Sequence, residues 1–173
     1  MPAPAFIVRR ASAADVDIIA RHRAEMFRDI HGLDDAACVA LFDTSRTAIA
    51  PLLDSGDYVG WLASPADDAQ VIVGGVGIRL RSALPSVQKR GDRVEVKTGR
   101  QGLIVNVYTE RAWRRRGLAG LLMRRLLDDV RHFELASLVL HASAEGRALY
   151  ESLGFVATNE MRYAGAPSRD PDT

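Results

Sequence analysis

Residues 102–133 constrain the fold more than any other part of the chain. "GLIVNVYT" (Gly102–Thr109) is an apolar, β-branched run with the length of a buried strand. The turn "ERAWRRRG" follows, and an amphipathic helix then runs from Leu118 to about Phe133. Leu118, Leu122, Leu126 and Val130 recur every four residues, with Leu121 and Leu127 flanking them. Arg124, Arg125, Asp128 and Asp129 hold the opposite face in i,i+4 pairs of opposite charge. "SLVLHAS" (Ser137–Ser143) is again a strand. Strand, helix and strand at this spacing imply a right-handed parallel crossover, and the rest of the chain must be arranged around it.

The start of that helix carries an electrostatic contradiction. Arg111, Arg114, Arg115 and Arg116 crowd a helix N-terminus, where the dipole is positive and N–H groups are unpaired. No Ser, Thr, Asp or Asn stands between Glu110 and Leu118 to cap it. An anion seated there resolves the contradiction, because free N–H groups, dipole and guanidinium groups then act together. Gly117, Ala119 and Gly120 are small enough for the first turn to lie close to a phosphate. The competing reading is a solvated basic turn with Gly117 as a joint. The turn is neither a Walker A loop, since no Lys-Ser or Lys-Thr follows the glycine, nor a dinucleotide fingerprint, whose first two glycines are missing.

The remaining pattern reads as a mixed fold. "FIVRR" (Phe6–Arg10) is a short strand. Ser12 with Asp15 forms a capping box that opens a helix carrying Val16, Ile19, Met26 and Phe27, broken at Gly32. A second helical region runs from about Asp34 to Leu53, in one piece or two. Tyr58–Ser64 and Gln70–Arg81 are strands joined by the turn "PADDA". Residues 82–101 are polar and basic, and "DRVEVK" alternates as a hairpin extension would. "EGRALYESLG" is a short helix stopped at Gly154, and "FVATNEMRYAG" is a final strand. The expected architecture is a single α/β (α+β) domain over residues 1–165: a mixed, mostly antiparallel sheet with helices on both faces. Residues 166–173 are expected to be a disordered tail.

Composition bounds the function. The 173 residues suffice for one domain with a core, and the net charge of +1 gives no global field toward nucleic acid or anionic lipid. The single cysteine, Cys38, excludes an internal disulfide framework and a cysteine zinc cluster, and is expected to be a small buried helix residue. No apolar run is read as long enough to span a bilayer, and "MPAPAFIVRR" lacks a signal-peptide core. The expectation is a cytoplasmic protein with no metal, no nucleic-acid partner and no membrane partner.

Two motifs in order resemble a known family. "RRRGLA", Arg114-x-x-Gly117-x-Ala119, resembles the Arg/Gln-x-x-Gly-x-Gly/Ala turn of the GNAT superfamily of acyl-CoA-dependent N-acetyltransferases. It sits between a buried strand and a helix, as in that family. "GRALYESLGF" (Gly146–Phe155) is similar to the family's second signature, Ala-Leu-Tyr-x-x-x-Gly-Phe. The resemblance extends from Phe6 to about Ala164 and is strongest over Leu103–Phe155. It implies an acetyltransferase of the GNAT-like fold that moves an acetyl group from acetyl-CoA to a small-molecule or peptide amine by direct attack in a ternary complex. It implies that the coenzyme A pyrophosphate is held by the backbone of Arg115, Arg116, Gly117, Leu118, Ala119 and Gly120, with Arg114 in support. It implies that Val107 and Thr109 pair with the pantetheine arm, and that the N–H of Val107 or Tyr108 faces the thioester oxygen. Tyr150 matches the tyrosine that protonates the departing thiolate; packing in the core is its alternative.

The chain departs from the family pattern in two places. Ser143 stands where the family often has an asparagine contacting the cofactor. The strand before the turn lacks the early glutamate of some members, which leaves Glu110, His141 and Asn106 with water as candidate bases. Glu110 is alternatively a partner of the arginines, and His141 a structural residue. His22, His31 and Trp61 are candidates for the acceptor side, with surface or core placement as their default. The rival functions are a basic-helix nucleic-acid-binding module and an acyl-CoA sensor without turnover. The acceptor and the oligomeric state are open, a homodimer being one option.

Overall fold

The computed structural model describes residues 5–158, 160, 161 and 163, and the statements below concern those residues. Its elements are strand β1 (Phe6–Arg10), helices α1 (Val16–His31) and α2 (Asp35–Ser55), strands β2 (Tyr58–Pro65), β3 (Gly74–Ser82), β4 (Ser86–Arg90), β5 (Arg93–Lys97) and β6 (Arg100–Thr109), helix α3 (Leu118–Val130), strand β7 (Leu135–Leu140) and helix α4 (Arg147–Ser152). Five strands form one sheet in the order β1-β2-β3-β6-β7, antiparallel except for the parallel pair β6–β7. The parallel pair is joined through α3, as the crossover argument requires.

Helices cover both faces. Trp61, Ile78, Leu80 and Ile104 of the sheet pack with Leu118, Leu122, Met123 and Leu126 of α3. Ile19 of α1 and Ile49 of α2 pack on Tyr58 and Leu62 from the other side. The alternation along β2 assigns Trp61 and Ala63 to one layer and Tyr58 and Leu62 to the other. Trp61 is fully buried under α3 and donates its indole N–H to Asp129 Oδ2 at 2.6 Å, so it is a core residue.

Several sequence expectations are shifted. α2 runs unbroken past Pro51, which sits in its last turns where one missing backbone bond to the previous turn is tolerated. By length and composition α2 is apolar enough to cross a membrane, with 21 residues and a mean hydropathy of 1.3 over its most apolar window, which corrects the reading that no such run exists. It packs on α1 and β2. β3 begins at Gly74 rather than Gln70, because Asp68 Oδ1 accepts the Gln70 N–H at 3.1 Å and lengthens the turn. β4 and β5 form a separate two-stranded sheet instead of extending β3 and β6. They rise from the end of β6 opposite the arginine turn.

α3 stops at Val130, and β7 spans Leu135–Leu140, not residues 137–143. No final strand begins at Phe155. The Phe155 N–H bonds back to Tyr150 O at 3.0 Å, and its ring packs edge-on against Tyr150, so the residue closes α4 instead. Asn159, Arg162 and residues 164–173, including the expected tail, lie outside the described residues.

Candidate active site

β6 has two different halves. From Arg100 to Ile104 it is paired on both sides, with β3 and with β7; beyond the Ile104–Leu140 pair it has no neighbour on the β7 side. On the β3 side, Gly77 faces Val105 and Gly75 faces Tyr108, so Val76 alone opposes both Asn106 and Val107 of β6. The extra residue is a bulge at Asn106, whose φ is +55°. The bulge turns the strand where its open edge begins. Val107 and Thr109 therefore lie on an edge that an extended chain can join.

The Asn106 side chain is committed. Its Oδ1 accepts from Arg23 Nη1 at 2.8 Å, and its Nδ2 donates to the Tyr58 hydroxyl at 3.0 Å. This leaves it poorly suited to hold a water as a base. Gly77 makes the arrangement possible, since a Cβ there would overlap the Tyr58 hydroxyl. A Cβ on Gly75 would crowd Leu62 Cδ2 at 3.0 Å and Trp61 O at 3.3 Å, and would stand in ordinary contact with the His22 ring.

At the end of β6 the backbone adopts a rare shape. Arg115 and Gly117 have φ of +62° and +77°, and Gly117 is the N-cap of α3 with no side-chain cap. The N–H groups of Arg115, Arg116, Gly117, Leu118, Ala119 and Gly120 have no acceptor among the described residues. Successive N–H groups in such a turn make a concave anion seat at the positive end of a helix. A Cβ on Gly117 would meet nothing within 4 Å, so the space beside it is open.

The four arginines divide their work. Arg111 and Arg114 both pair with Asp29 of α1, and Arg114 also donates to Thr109 O at 3.0 Å. Arg116 lies over the Trp113 ring at 4.8 Å. Arg111 and Arg114 thus brace the turn against α1, while Arg115 and Arg116 have no carboxylate partner among the described residues. Thr109 Oγ1, at the end of β6, is buried without a hydrogen bond among the described residues. The free N–H groups and the cations without carboxylates fit the pyrophosphate of coenzyme A, and the open edge of β6 fits its pantetheine.

Tyr150 lies on α4, is 8% exposed, and sits above Gly146, where a Cβ would come within 2.7 Å of its ring. Burial raises its hydroxyl pKa above the ordinary tyrosine value, so it stays protonated at neutral pH. Ser143 serves the same helix locally: its Oγ accepts the Gly146 N–H at 3.2 Å. Glu110 Oε1 lies 2.5 Å from Arg21 Nη2 and 3.3 Å from His22 Nε2. It pairs with α1 rather than with the turn arginines. It lines a hollow of about 410 Å³ together with Glu25, Tyr108 and Trp113. His141 is 70% exposed and pairs with Glu160 at 3.1 Å, apart from the Glu110 cluster. His31 is at the surface stacked on Phe27, while His22 is 2% exposed with neither ring nitrogen hydrogen-bonded. Burial, with Arg21 beside it, lowers its pKa to about 4 despite Glu110.

Sequence reading missed Asp29, Arg23 and the load carried by Asn106. One signal was available for the last: a lone Asn inside "LIVNVYT" tolerates positive φ better than its neighbours. Cys38 is buried and accepts from Arg28 Nε at 3.1 Å, a packed helix residue as expected.

The model of the acetyltransferase (GNAT) family matches residues 21–155. A GCN5-related N-acetyltransferase from Ralstonia eutropha JMP134 is similar in structure, with 28% identity and a TM-score of 0.78 over 94% of this chain and 100% of that one. A predicted acetyltransferase from Clostridium acetobutylicum, solved with acetyl-CoA, aligns over 93% of this chain and 96% of that one, with 23% identity and a TM-score of 0.76. An aminoglycoside acetyltransferase from an uncultured soil metagenomic sample shares 18% identity and a TM-score of 0.59 over 94% of this chain and 98% of that one. The last two likenesses concern the fold alone. No curated protein sequence matches the chain.

Proposed function

Since the chain belongs to the acetyltransferase (GNAT) family, we propose that it moves an acetyl group from acetyl-CoA to a primary amine, by direct attack of the amine while both are bound. The observation that carries this reading is the run of six N–H groups without acceptors, Arg115 to Gly120, at the end of an open strand edge. Acetyl-CoA would supply an activated thioester. Arg115–Gly120 hold its pyrophosphate, and the β6 edge at Val107 and Thr109 aligns the pantetheine arm. An N–H at the bulge, of Val107 or Tyr108, donates to the acyl oxygen as it gains negative charge. Tyr150, kept protonated by burial, gives its proton to the leaving sulfur. The proton released by the amine passes to water in the hollow beside Glu110. Rate comes mainly from placing the two reactants together.

The test is incubation with labelled acetyl-CoA and a panel of amines, followed by mass detection of product, for the parent and for Gly117→Asp. Asp tolerates positive φ better than most residues, so this change tests charge more than strain. We expect coenzyme A affinity by calorimetry to fall at least about tenfold, the equivalent of ~1.4 kcal/mol, with an unchanged circular dichroism spectrum. Unaltered affinity would remove the turn as the pyrophosphate site.

A further inference from the structure

On α1, Arg21 faces Glu110, Arg28 faces Asp35 and Glu25, and Asp29 faces two arginines of the turn. Arg23 is different. It is partly buried, and no carboxylate among the described residues pairs with it. Its one hydrogen bond goes to the Asn106 side-chain carbonyl at 2.8 Å, and its guanidinium carbon lies 4.9 Å from the centre of the Phe27 ring. Burial lowers its pKa, and the Tyr58 hydroxyl is the group that opposes this.

A neutral amide donor would serve Asn106 equally well. What the local packing leaves unexplained is the charge, since a half-buried cation without a counter-ion gives up part of its hydration for no ion pair. The fork is also held in place. Asn106 is fixed by the bulge and by Tyr58, and Tyr58 by the space over Gly77. The remaining N–H groups of the fork have no protein acceptor among the described residues and are not sealed from solvent. The phosphates of coenzyme A do not answer this cation, because their seat lies beyond the end of β6, whereas Arg23 meets the strand at the bulge where the acyl group would sit.

We infer that the acceptor amine carries a carboxylate and that Arg23 binds it, setting acceptor specificity. This rests on the transferase reading above. Arginine suits the task because its planar fork pairs with both oxygens of a carboxylate.

The test separates the two readings. Protein saturated with coenzyme A is titrated by calorimetry with N-acetylglycine, N-acetyl-β-alanine and N-acetylglutamate, each against the corresponding amide. Initial rates with the parent amines and their amides follow, using labelled acetyl-CoA. We expect at least one carboxylate to bind about tenfold or more tighter than its amide, the ratio ~1.4 kcal/mol produces. Arg23→Met, which keeps the apolar stem, should bring that ratio close to one while coenzyme A affinity stays near the parent's, and the melting temperature should drop because the buried Asn106 carbonyl loses its donor. Arg23→Lys, with charge but no fork, should fall between. A parent that binds carboxylates and amides alike overturns the inference. So does an Arg23→Met variant that keeps the preference, or one that slows every acceptor equally. A carboxylate preference without any acetylated product would instead remove the transferase reading and leave the Arg23 site standing.

Discussion

Under α3, Trp61, Ile78 and Leu80 meet Leu118, Leu122, Met123 and Leu126, and the layer is apolar almost throughout. Under α1 and α2 the apolar cluster is small, centred on Ile19, Ile49, Tyr58 and Leu62. The buried polar residues His22, Ser45, Asn106 and Ser64 belong to this second layer, Ser45 on α2 itself. Ser64 alternates in step with Leu62, Asn106 bonds to Tyr58, and His22 extends from α1 beside Gly75. Glycine explains part of the contrast: Gly77 leaves space on β3 for Tyr58 ring and hydroxyl atoms that a Cβ would displace. One layer packs α3 onto the sheet, up to its Gly117 cap; the other holds polar groups around the bulge of β6.

The comparison is sharpest at Leu122, which is fully buried under α3. Leu122→Ala removes its packing and leaves a cavity, so we expect a loss of about 2–5 kcal/mol, read by urea unfolding. At temperatures where the variant stays folded, the preference between acceptors should be unchanged. A loss under about 1 kcal/mol would mean the α3 layer can collapse around the hole and is not the stiff half of the molecule.

Tyr150 tests the border between packing and chemistry. Tyr150→Phe keeps the ring over Gly146 and its contact with Phe155 and removes only the hydroxyl. We expect kcat to fall on the order of 10²-fold, the low end for general acid catalysis, because a thiolate is already a tolerable leaving group. Coenzyme A affinity should survive. Turnover within about twofold of the parent, far less than the tenfold that ~1.4 kcal/mol produces, would make Tyr150 a core residue.

What the sequence disclosed follows the same division. α3 and β6 were legible because every fourth leucine and an unbroken β-branched run are local patterns. The crowding of four arginines at a helix start was legible, and it is what pointed to an anion there. That Asp29 neutralises two of them was not, because the pairs join positions more than 80 residues apart. The Tyr58–Asn106–Arg23 chain has the same cause, with separations of 48 and 83 residues. His22 looked like any helix histidine until the fold set it beneath the sheet. Gly77 was visible within "GGVG", but only the Tyr58 ring shows what the missing side chain is for.

The smallest effect expected concerns His22 and separates the two layers by pH. Burial and Arg21 lower its pKa in the fold to about 4, from an ordinary value of 6.5, with Glu110 opposing. The unfolded chain therefore binds a proton on acidification through 6.5 that the folded chain refuses until about 4. Between those values the unfolded state holds more protons, so stability is full above pH 6.5 and falls as pH drops toward 4. From pH 7 to pH 5.5 the loss is about 1 kcal/mol, or roughly 2–4 °C in melting temperature for a domain of this size. His22→Phe has no proton to take up, so its melting temperature should decline less over that interval, whatever its starting value. Asp15, lowered to about 2 by its hydrogen bonds with Arg9, titrates below the window and does not confuse the readout. Parallel slopes for parent and variant would show that His22 is hydrated and titrates normally. The layer under α1 would then be no more closed to water than the protein surface.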